Sequence, residues 1–132
     1  MIRLIVAGSR HFADEEAVET MLVAHVDFAR GHAKRRRQVV VVHGGAKGAD
    51  ALADKVAKKH GWNVEVFPAD WDKHGKVAGP IRNQEMVDAG ARAALLFPLE
   101  DSKGTWDLYR RAIKASIDCY VYGDFKMPES ER

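Results

Sequence analysis

Two kinds of hydrophobic pattern alternate along this chain. Short apolar runs are separated by longer segments in which apolar residues recur at intervals of three and four positions. The short runs are typical of buried strands, and the longer segments are typical of helices with one face against a core. The chain is therefore predicted to fold as strands and helices in regular alternation.

The pattern sets approximate bounds for each element. Strands are predicted at Ile2–Ala7, Gln38–Val42, Trp62–Phe67, Ala91–Phe97 and Ile117–Tyr122. Helices are predicted at Asp14–Arg30, from Ala49 to a stop at Gly61, at Ile81–Asp88, and from Gly104 or Thr105 to about Ser116. Pro80 suits the start of the third helix, because its missing N–H group needs no partner there. The connection from Pro68 to Gly79 is long for a compact domain, which indicates a functional segment.

The order of these elements predicts the fold class. The run at 38–42 has no polar alternation, as expected for a strand buried on both faces of a parallel sheet. Alternating strands and helices predict an α/β, doubly wound, Rossmann-like sandwich with five parallel strands in the order 3-2-1-4-5. One domain is predicted over residues 1–123, with a polar C-terminal tail over 124–132 that frays. Ligands of such sheets bind beyond the carboxyl ends of the strands.

Composition narrows the class of protein. The 132 residues suit one domain, and 21 Lys and Arg against 19 Asp and Glu give a net charge of only +2. This balance argues against a protein that coats nucleic acid, although Lys34–Arg37 is a local basic run, interpreted as a solvated loop at the opposite edge of the sheet. Cys119 is the single cysteine and is interpreted as a buried strand residue. Without an apolar run of about 20 residues or a signal peptide, we expect a cytoplasmic protein with no membrane partner.

Glycine-rich segments follow the first two predicted strands. Gly8, Ser9 and Arg10 come after the first strand, where glycine lets backbone approach a ligand and arginine can bind a phosphate. A tight turn with a solvated arginine explains the same residues equally well. The second strand leads into a run of small residues that ends in an acid: His43, Gly44, Gly45, Ala46, Lys47, Gly48, Ala49, Asp50.

This second segment has the properties of an anion site, because small residues expose backbone N–H groups where a helix dipole is positive. It is not a P-loop, since Lys47 is followed by glycine. It also departs from the dinucleotide fingerprint, since His43 stands where a ribose-binding acid is expected. Asp50 is interpreted as a ribose or base ligand or, equally, as a helix cap. His43 is interpreted as a hydrogen-bonding wall, and no metal site is predicted.

The third and fourth connections add further polar candidates. Trp71 lies in the long connection, and Arg82 and Asn83 follow Pro80 on the next helix, where they can hold a phosphate and a base or neighbouring loop. An exposed polar helix face is the alternative. Gly104 and Thr105 open the last helix and form another candidate anion site, with Thr105 as N-cap or ligand donor.

Four motifs together carry a family resemblance. They are Gly8-Ser9-Arg10, His43-Gly44-Gly45-Ala46-x-Gly48-Ala49-Asp50, Trp71-x-x-x-Gly75-Lys76-x-Ala78-Gly79-Pro80-x-Arg82-Asn83-x-x-Met86, and Gly104-Thr105. From about Ile2 to Tyr122 the chain resembles the YspA-type branch of the SLOG superfamily, which groups Smf/DprA with the LOG "lysine decarboxylase-like" phosphoribohydrolases. The resemblance implies a Rossmann-like domain of bacterial or phage origin that binds a nucleotide or a nucleotide-derived ligand, such as AMP or ADP-ribose.

The resemblance also implies the binding residues and shows one departure. The implied ligand-binding set is Gly8, Ser9, Arg10, His43, Gly44, Gly45, Ala46, Gly48, Asp50, Trp71, Arg82, Asn83, Gly104 and Thr105. LOG enzymes carry P-G-G-x-G-T-x-x-E with a catalytic glutamate, whereas Leu108 holds that position here and Asp107 lies one residue early. One residue turns a side chain by about 100° around a helix. Glycosidic cleavage needs acid–base help, for which Asp50, Asp107 and Arg82 are the candidates.

Three functions remain open from the sequence. The first is a nucleotide-binding domain that acts as a sensor, sequestering protein or regulator, with no cofactor. The second is a nucleotide N-glycosidic hydrolase of the phosphoribohydrolase type. The third is single-stranded nucleic-acid binding as in Smf/DprA, through Lys34–Arg37, which should weaken steeply with salt. A homo-oligomer, such as a dimer, is expected from the superfamily.

Overall fold

The computed structural model describes residues 1–31, 37–100 and 102–132. Its strands are β1 (Ile2–Gly8), β2 (Val39–His43), β3 (Asn63–Val66), β4 (Ala93–Phe97) and β5 (Asp118–Val121). Its α-helices are α1 (Glu15–Arg30), α2 (Ala49–Lys59), α3 (Trp71–His74), α4 (Ala78–Asp88) and α5 (Lys103–Lys114). Short 3₁₀ helices cover Gly75–Val77 and Glu129–Glu131.

The strands form one parallel sheet in the order β3-β2-β1-β4-β5, as predicted. In register, Leu4 of β1 lies between Val41 of β2 and Ala93 of β4. The chain winds from β1 toward one edge and then returns to β1's other side at β4, so the strand order reverses between β1 and β4. Ligands of doubly wound sheets bind at this switch point.

Helices cover both faces of the sheet, which makes two cores. Val18 and Leu22 of α1 and Val56 of α2 pack on one face, and Met86 of α4 and Leu108 of α5 pack on the other. Every residue of β2 and β4 is buried, as the uninterrupted apolar run at 38–42 predicted for β2. Because α2 and α5 lie on opposite faces of the sheet, their amino ends flank the same sheet edge from opposite sides.

The long connection after β3 is more helical than predicted. It contains α3, whose first turn is capped by the Asp70 carboxylate accepting from the Lys73 amide at 3.1 Å, and then a 3₁₀ turn. Helix α4 begins at Ala78, so Pro80 is its third residue rather than its first. The first amides of a helix have no partner within it, and proline therefore fits at the third position as well.

The last helix also begins earlier than predicted. Ser102 occupies the N-cap position and Thr105 is the third helical residue, so the interpretation of Thr105 as N-cap is wrong. The Ser102 hydroxyl accepts a hydrogen bond from the Leu99 amide at 2.9 Å, which fixes the turn before the helix. Serine and threonine both favour the N-cap position of a helix. Ser102, directly before Lys103, occupies that position in place of Thr105.

The C-terminal tail does not fray along its whole length. Nη1 of Arg110 donates to the backbone oxygen of Glu131 at 2.6 Å and to its carboxylate at 2.9 Å, so the end of the chain packs against α5. Cys119 is half-buried in β5, and burial raises the pKa of its thiol to about 11. No helix among the described residues is long and apolar enough to cross a membrane.

Candidate functional site

A cleft of about 190 Å³ opens at the carboxyl edge of the sheet, between the ends of β1 and β4. Its walls come from the segment after β1, the first turn of α2, one side of α4 and the first turn of α5. The lining residues are Ala7, Gly8, Ser9, Arg10, Ala46, Asp50, Arg82, Asn83, Met86, Ser102, Lys103, Gly104 and Thr105. The cleft therefore lies at the switch point of the strand order, where the fold class places its ligands.

The segment between β2 and α2 is closed by its own hydrogen bonds. One oxygen of Asp50, Oδ2, accepts from the amides of Gly44 at 3.0 Å and Ala46 at 3.2 Å. The Gly45 amide donates to Nδ1 of His43 at 2.9 Å, and Nε2 of His43 lies 2.8 Å from the Asp54 carboxylate. These three amides have partners within the segment and are therefore not available to bind an anion.

The glycines of this region serve close packing. A Cβ on Gly8 would lie 2.5 Å from the carbonyl oxygen of Phe97 and 2.7 Å from Cβ of Ala49. Gly48 has φ +73°, and a Cβ there would overlap the Ser9 carbonyl oxygen. The Ser9 oxygen also accepts from the Ala49 amide at 3.2 Å. The first turn of α2 is thus seated directly on the segment that leaves β1.

Arg82 ties the ends of two strands to α4. Its Nη1 donates to the carbonyl oxygen of Gly44 at 2.8 Å and, more weakly, to that of Phe67 at 3.4 Å, while Nε donates to Oδ1 of Asn83 at 3.0 Å. A Cβ on Gly44 would lie 2.6 Å from the Arg82 Cζ, so glycine makes room for the guanidinium. Burial lowers the pKa of Arg82, and the charges of Asp50 and Glu85 only partly offset that effect.

Asp50 is a buried acid on the cleft wall. Its side chain is 5% exposed, and burial raises the pKa of its carboxyl group, although the Ala46 and Gly44 amides and the Arg82 charge favour ionisation. A raised pKa means that the folded state holds this proton more tightly than the unfolded chain does. The free energy of unfolding therefore falls as pH rises from the unfolded pKa, about 3.9, through the folded pKa.

The Asp50→Asn variant should remove this pH dependence. Asparagine can still accept from the Gly44 and Ala46 amides through its oxygen, but it never ionises. We expect the stability of the variant relative to the wild type to increase from about pH 4 upward and to level off above the folded pKa of Asp50. Urea unfolding of both proteins across this pH range measures the difference. A stability difference that does not change with pH would contradict the assignment.

Asn83 and Asp107 form a second polar group behind the cleft. Nδ2 of Asn83 donates to the Gly104 carbonyl oxygen at 3.2 Å and to the Asp107 carboxylate at 2.9 Å. Arg111 donates to the same carboxylate at 2.9 Å. Burial alone would raise the pKa of Asp107, but the hydrogen bonds from Arg111 and Asn83 and the charges of Arg111 and Arg110 outweigh it, and the pKa is lowered. This group positions the start of α5.

The start of α5 presents polar groups for which the described residues supply no partner. A Cβ on Gly104 would meet no atom within 4 Å. Thr105 is 4% exposed and lines the cleft, and within the described residues its hydroxyl makes no hydrogen bond. Lys103 and Arg10 are exposed at the rim. The cleft thus joins a helix amino end, a hydroxyl-bearing residue and two cations.

Most of the predicted site residues meet at this cleft. Nine of them line it directly: Gly8, Ser9, Arg10, Ala46, Asp50, Arg82, Asn83, Gly104 and Thr105. His43, Gly44, Gly45 and Gly48 support its wall from behind. Trp71 is 59% exposed on α3 and lies apart, with its ring toward Gly79.

Four cleft residues were not predicted as ligands: Ala7, Met86, Ser102 and Lys103. Met86 lies one helical turn beyond Arg82, so their spacing was the available signal. Ser102 and Lys103 directly precede Gly104, but the helix was predicted to begin one or two residues late, at Gly104 or Thr105, so both residues were assigned to the connection. Of the basic run, Lys34, Arg35 and Arg36 lie outside the described residues, and Arg37 donates to the Met1 carbonyl oxygen at 3.4 Å.

In residues 1–31, 37–100 and 102–132 no group of three His, Cys, Asp or Glu side chains could hold a metal ion.

The fold and the cleft define a Rossmann-like domain with a polar cleft at its switch point. The chain belongs to the YspA, cpYpsA-related SLOG family, whose model matches residues 2–74. It is 43% identical over 129 residues to the Gene 61 protein of Mycobacterium phage D29, covering 94% of this chain and 98% of that protein.

The fold is also that of a solved structure, DNA processing protein A (DprA) from Streptococcus pneumoniae. The two superpose with a TM-score of 0.71 at 18% sequence identity, over 95% of this chain. This chain spans about half of that protein, 52% of its length. At this identity the likeness shows the fold, and the family match ends before α4, so the Arg82 and α5 walls of the cleft rest on their own geometry.

Proposed function

We propose that this domain binds a phosphate-bearing nucleotide or nucleotide-derived ligand in the cleft, as a sensor, sequestering or regulatory domain. The observation that carries the proposal is the start of α5, where Thr105 is almost fully buried, lines the cleft and makes no hydroxyl hydrogen bond among the described residues. Gly104 leaves open space beside it. A phosphate would accept from free amides and from this hydroxyl, where the helix dipole favours negative charge.

The charge distribution around the cleft supports an anionic ligand. Arg10 and Lys103 lie at its rim, and Arg82 lies in its wall. The opposing charge is Asp50, which the positive charge of the nearby Arg82 guanidinium partly offsets. Two exposed cations beside a helix amino end favour the entry of a phosphate over a neutral molecule.

The residues at and next to the position of the LOG glutamate favour binding over cleavage. Leu108, at the position of the LOG glutamate, is 0% exposed and packs in the core on the α4 and α5 side of the sheet. Asp107 is held by Asn83 and Arg111 behind the cleft, and its lowered pKa makes it a poor proton donor at neutral pH. Neither residue supplies acid–base chemistry to a glycosidic bond in the cleft.

A matched pair of lysines on α5 tests the proposal. Lys103 is the first residue of the helix and lines the cleft, and Lys114 is its last residue; both are exposed. Calorimetry at low salt with AMP, ADP-ribose and NAD should detect binding to the wild type. We expect Lys103→Gln to weaken it by on the order of tenfold, as for loss of one charge-assisted hydrogen bond, and Lys114→Gln to leave it unchanged. Folded protein that binds none of these ligands would refute the proposal.

Gly104→Ala should separate binding from stability. Glycine in a helix is less stable than alanine by roughly 0.5–1 kcal/mol, and nothing within 4 Å obstructs the new methyl group. The variant should therefore unfold at equal or higher urea concentration, while its nucleotide affinity falls because the methyl group occupies the cleft. Greater stability with unchanged affinity would show that the ligand does not approach this residue.

A further inference from the structure

We propose that the outer edge of β5 is a second binding site, which takes an extended protein segment rich in lysine or arginine as a further strand of the sheet. β5 is the last strand of the sheet and, among the described residues, pairs only with β4. This edge is separate from the cleft between the ends of β1 and β4, so the inference does not rest on the proposed function. The partner is recognised by its backbone and by its positive charge.

The backbone of β5 offers hydrogen-bonding groups on its outer side. The amide of Tyr122, directly after the strand, donates to the Leu96 carbonyl oxygen of β4 at 2.8 Å. Successive residues of a strand point these groups in alternate directions, so the amide and carbonyl of Tyr120 also face β4, whereas those of Cys119 and Val121 face outward. Such a row of outward groups is a template for pairing with another chain.

Two tyrosines and a groove flank this row on the α1 side of the sheet. Tyr120 is 45% exposed, and the centre of its ring lies 4.5 Å from that of His25 on α1. Tyr122 is 39% exposed and packs edge-on against Phe12. The groove beside Tyr122 has a volume of about 370 Å³ and is lined by Asp14, Glu16, Ala17, Thr20, Met21 and Tyr122. An added strand therefore meets aromatic surface and a groove for its side chains.

The charge on this side of the molecule selects a basic partner. Residues 14–29 and 116–125 contain no lysine or arginine. The acids of these two segments are Asp14, Glu15, Glu16, Glu19, Asp27, Asp118 and Asp124. Glu15 and Glu19 are paired with lysines of α2, and the others form no ion pair among the described residues. The region is thus locally acidic, although the net charge of the chain is +2.

Several of these acids lie where the side chains of an added strand would pass. Asp14 and Glu16 line the groove, and Asp118 lies two residues before Tyr120, on the same side of β5. Lysine and arginine are attracted both to carboxylates and to tyrosine rings. Nucleic acids and anionic membranes carry the wrong sign of charge. A second copy of this chain would place an equally acidic edge against the first, so like charges oppose pairing of two β5 edges.

Calorimetry on the full chain at low salt, with capped hexapeptides as probes, tests the inference. The first probe alternates lysine and valine, and we expect it to bind with an affinity that falls as salt screens the charges. A peptide with glutamate in place of lysine should bind at least tenfold more weakly. The lysine peptide with N-methylated backbone amides should also bind at least tenfold more weakly, because it keeps the charge and loses the hydrogen-bond donors of a strand.

A matched pair of proline variants locates the site. Val121 and Val66 are the last residues of the two edge strands, β5 and β3. In both strands the amide of the next residue donates to the neighbouring strand, at 2.8 Å after β5 and 2.9 Å after β3, so the amides of both valines face outward. Proline there removes the outward N–H and spares the bonds within the sheet. Val121→Pro should weaken binding of the lysine peptide at least tenfold, and Val66→Pro should leave it unchanged.

A second pair of variants tests the charge without altering the sheet. Glu16 lines the groove, whereas Glu85 lies on α4, and both are exposed. Glu16→Lys should weaken the lysine peptide severalfold, and Glu85→Lys should not. This pair keeps the inference testable if Val121→Pro does not fold.

Three results would overturn the inference. The first is folded protein that does not bind the lysine peptide, or binds it no better than the glutamate peptide. The second is full affinity for the N-methylated peptide or in Val121→Pro, since charge alone would then attract the peptide. The third is self-association of the chain that Val121→Pro abolishes, because the edge would then take a second copy of this chain.

Discussion

Replacing Gly48 with alanine should lower the free energy of unfolding by about 3 kcal/mol or more. Two costs act together. The residue has φ +73°, a conformation that costs an L side chain about 1–3 kcal/mol, and its Cβ would overlap the Ser9 carbonyl oxygen and lie 2.5 Å from the Arg10 carbonyl carbon. These neighbours are backbone atoms and cannot rotate away. Urea unfolding followed by circular dichroism measures the loss.

Gly61 provides the matched control. Its φ is +71°, nearly the same, but a Cβ there would meet no atom within 4 Å. Gly61→Ala therefore carries only the conformational cost, and we expect a loss of about 1 kcal/mol. The difference between the two variants measures the contact of α2 with the segment after β1. Equal losses would mean that the segment moves aside freely and that Gly48 is needed only for its backbone angle.

The fold could be predicted because its signals are local. Buried strands such as β2 and β4 are uninterrupted apolar runs, and their alternation with helices leaves few topologies. The first residues of the helices were harder to predict from the sequence. Whether Ser102 or Thr105 precedes α5 depends on the turn that the Leu99 amide closes, a contact that no sequence periodicity encodes. Helix ends are set by such single hydrogen bonds, whereas helix faces are set by many residues.

The site was predictable in position and less so in detail. Loops at the carboxyl ends of parallel strands must meet at one edge, so the sequence predicts that Ser9, Asp50, Arg82 and Thr105 lie close together, and in the structure they line one cleft. It could not assign the amides of the β2–α2 segment, which were expected to face a phosphate. They face Asp50 and His43 instead. A carboxylate two residues into a helix can reach its own loop or a ligand, and only the geometry distinguishes these.

The glycines of this segment illustrate the same limit. A glycine motif is equally consistent with backbone close to a ligand and with backbone close to other protein atoms. Gly8, Gly44 and Gly48 belong to the second kind, since a Cβ on each would collide with Phe97, Arg82 or Ser9. Gly104 differs from them, because a Cβ there would meet no atom within 4 Å. For this reason we propose the phosphate site at α5 instead of α2.

Replacing Arg82 with methionine should cost about 3 kcal/mol of stability and abolish nucleotide binding. Methionine keeps the aliphatic packing but leaves the Gly44 carbonyl oxygen and Oδ1 of Asn83 without their donor. Each buried acceptor without a partner costs about 1–3 kcal/mol. The Asp50 carboxylate also loses the positive charge that opposes its repulsion of a phosphate. Arg92→Met, at an exposed arginine whose side chain makes no hydrogen bond among the described residues, should be nearly neutral.

A double-mutant cycle with Gly44→Ala tests the reason for this cost. In the wild type a Cβ on Gly44 would overlap Nη1 of Arg82 and lie 2.6 Å from its Cζ, so the alanine must displace the guanidinium. In the Arg82→Met background those atoms are gone, and the same alanine meets only the position of Nε, at 3.1 Å. We expect the two losses to be non-additive by about 1–2 kcal/mol, with the double variant more stable than their sum predicts, because residues in contact couple in this way. Additive losses would show that Gly44 is required for some reason other than the arginine that crosses it.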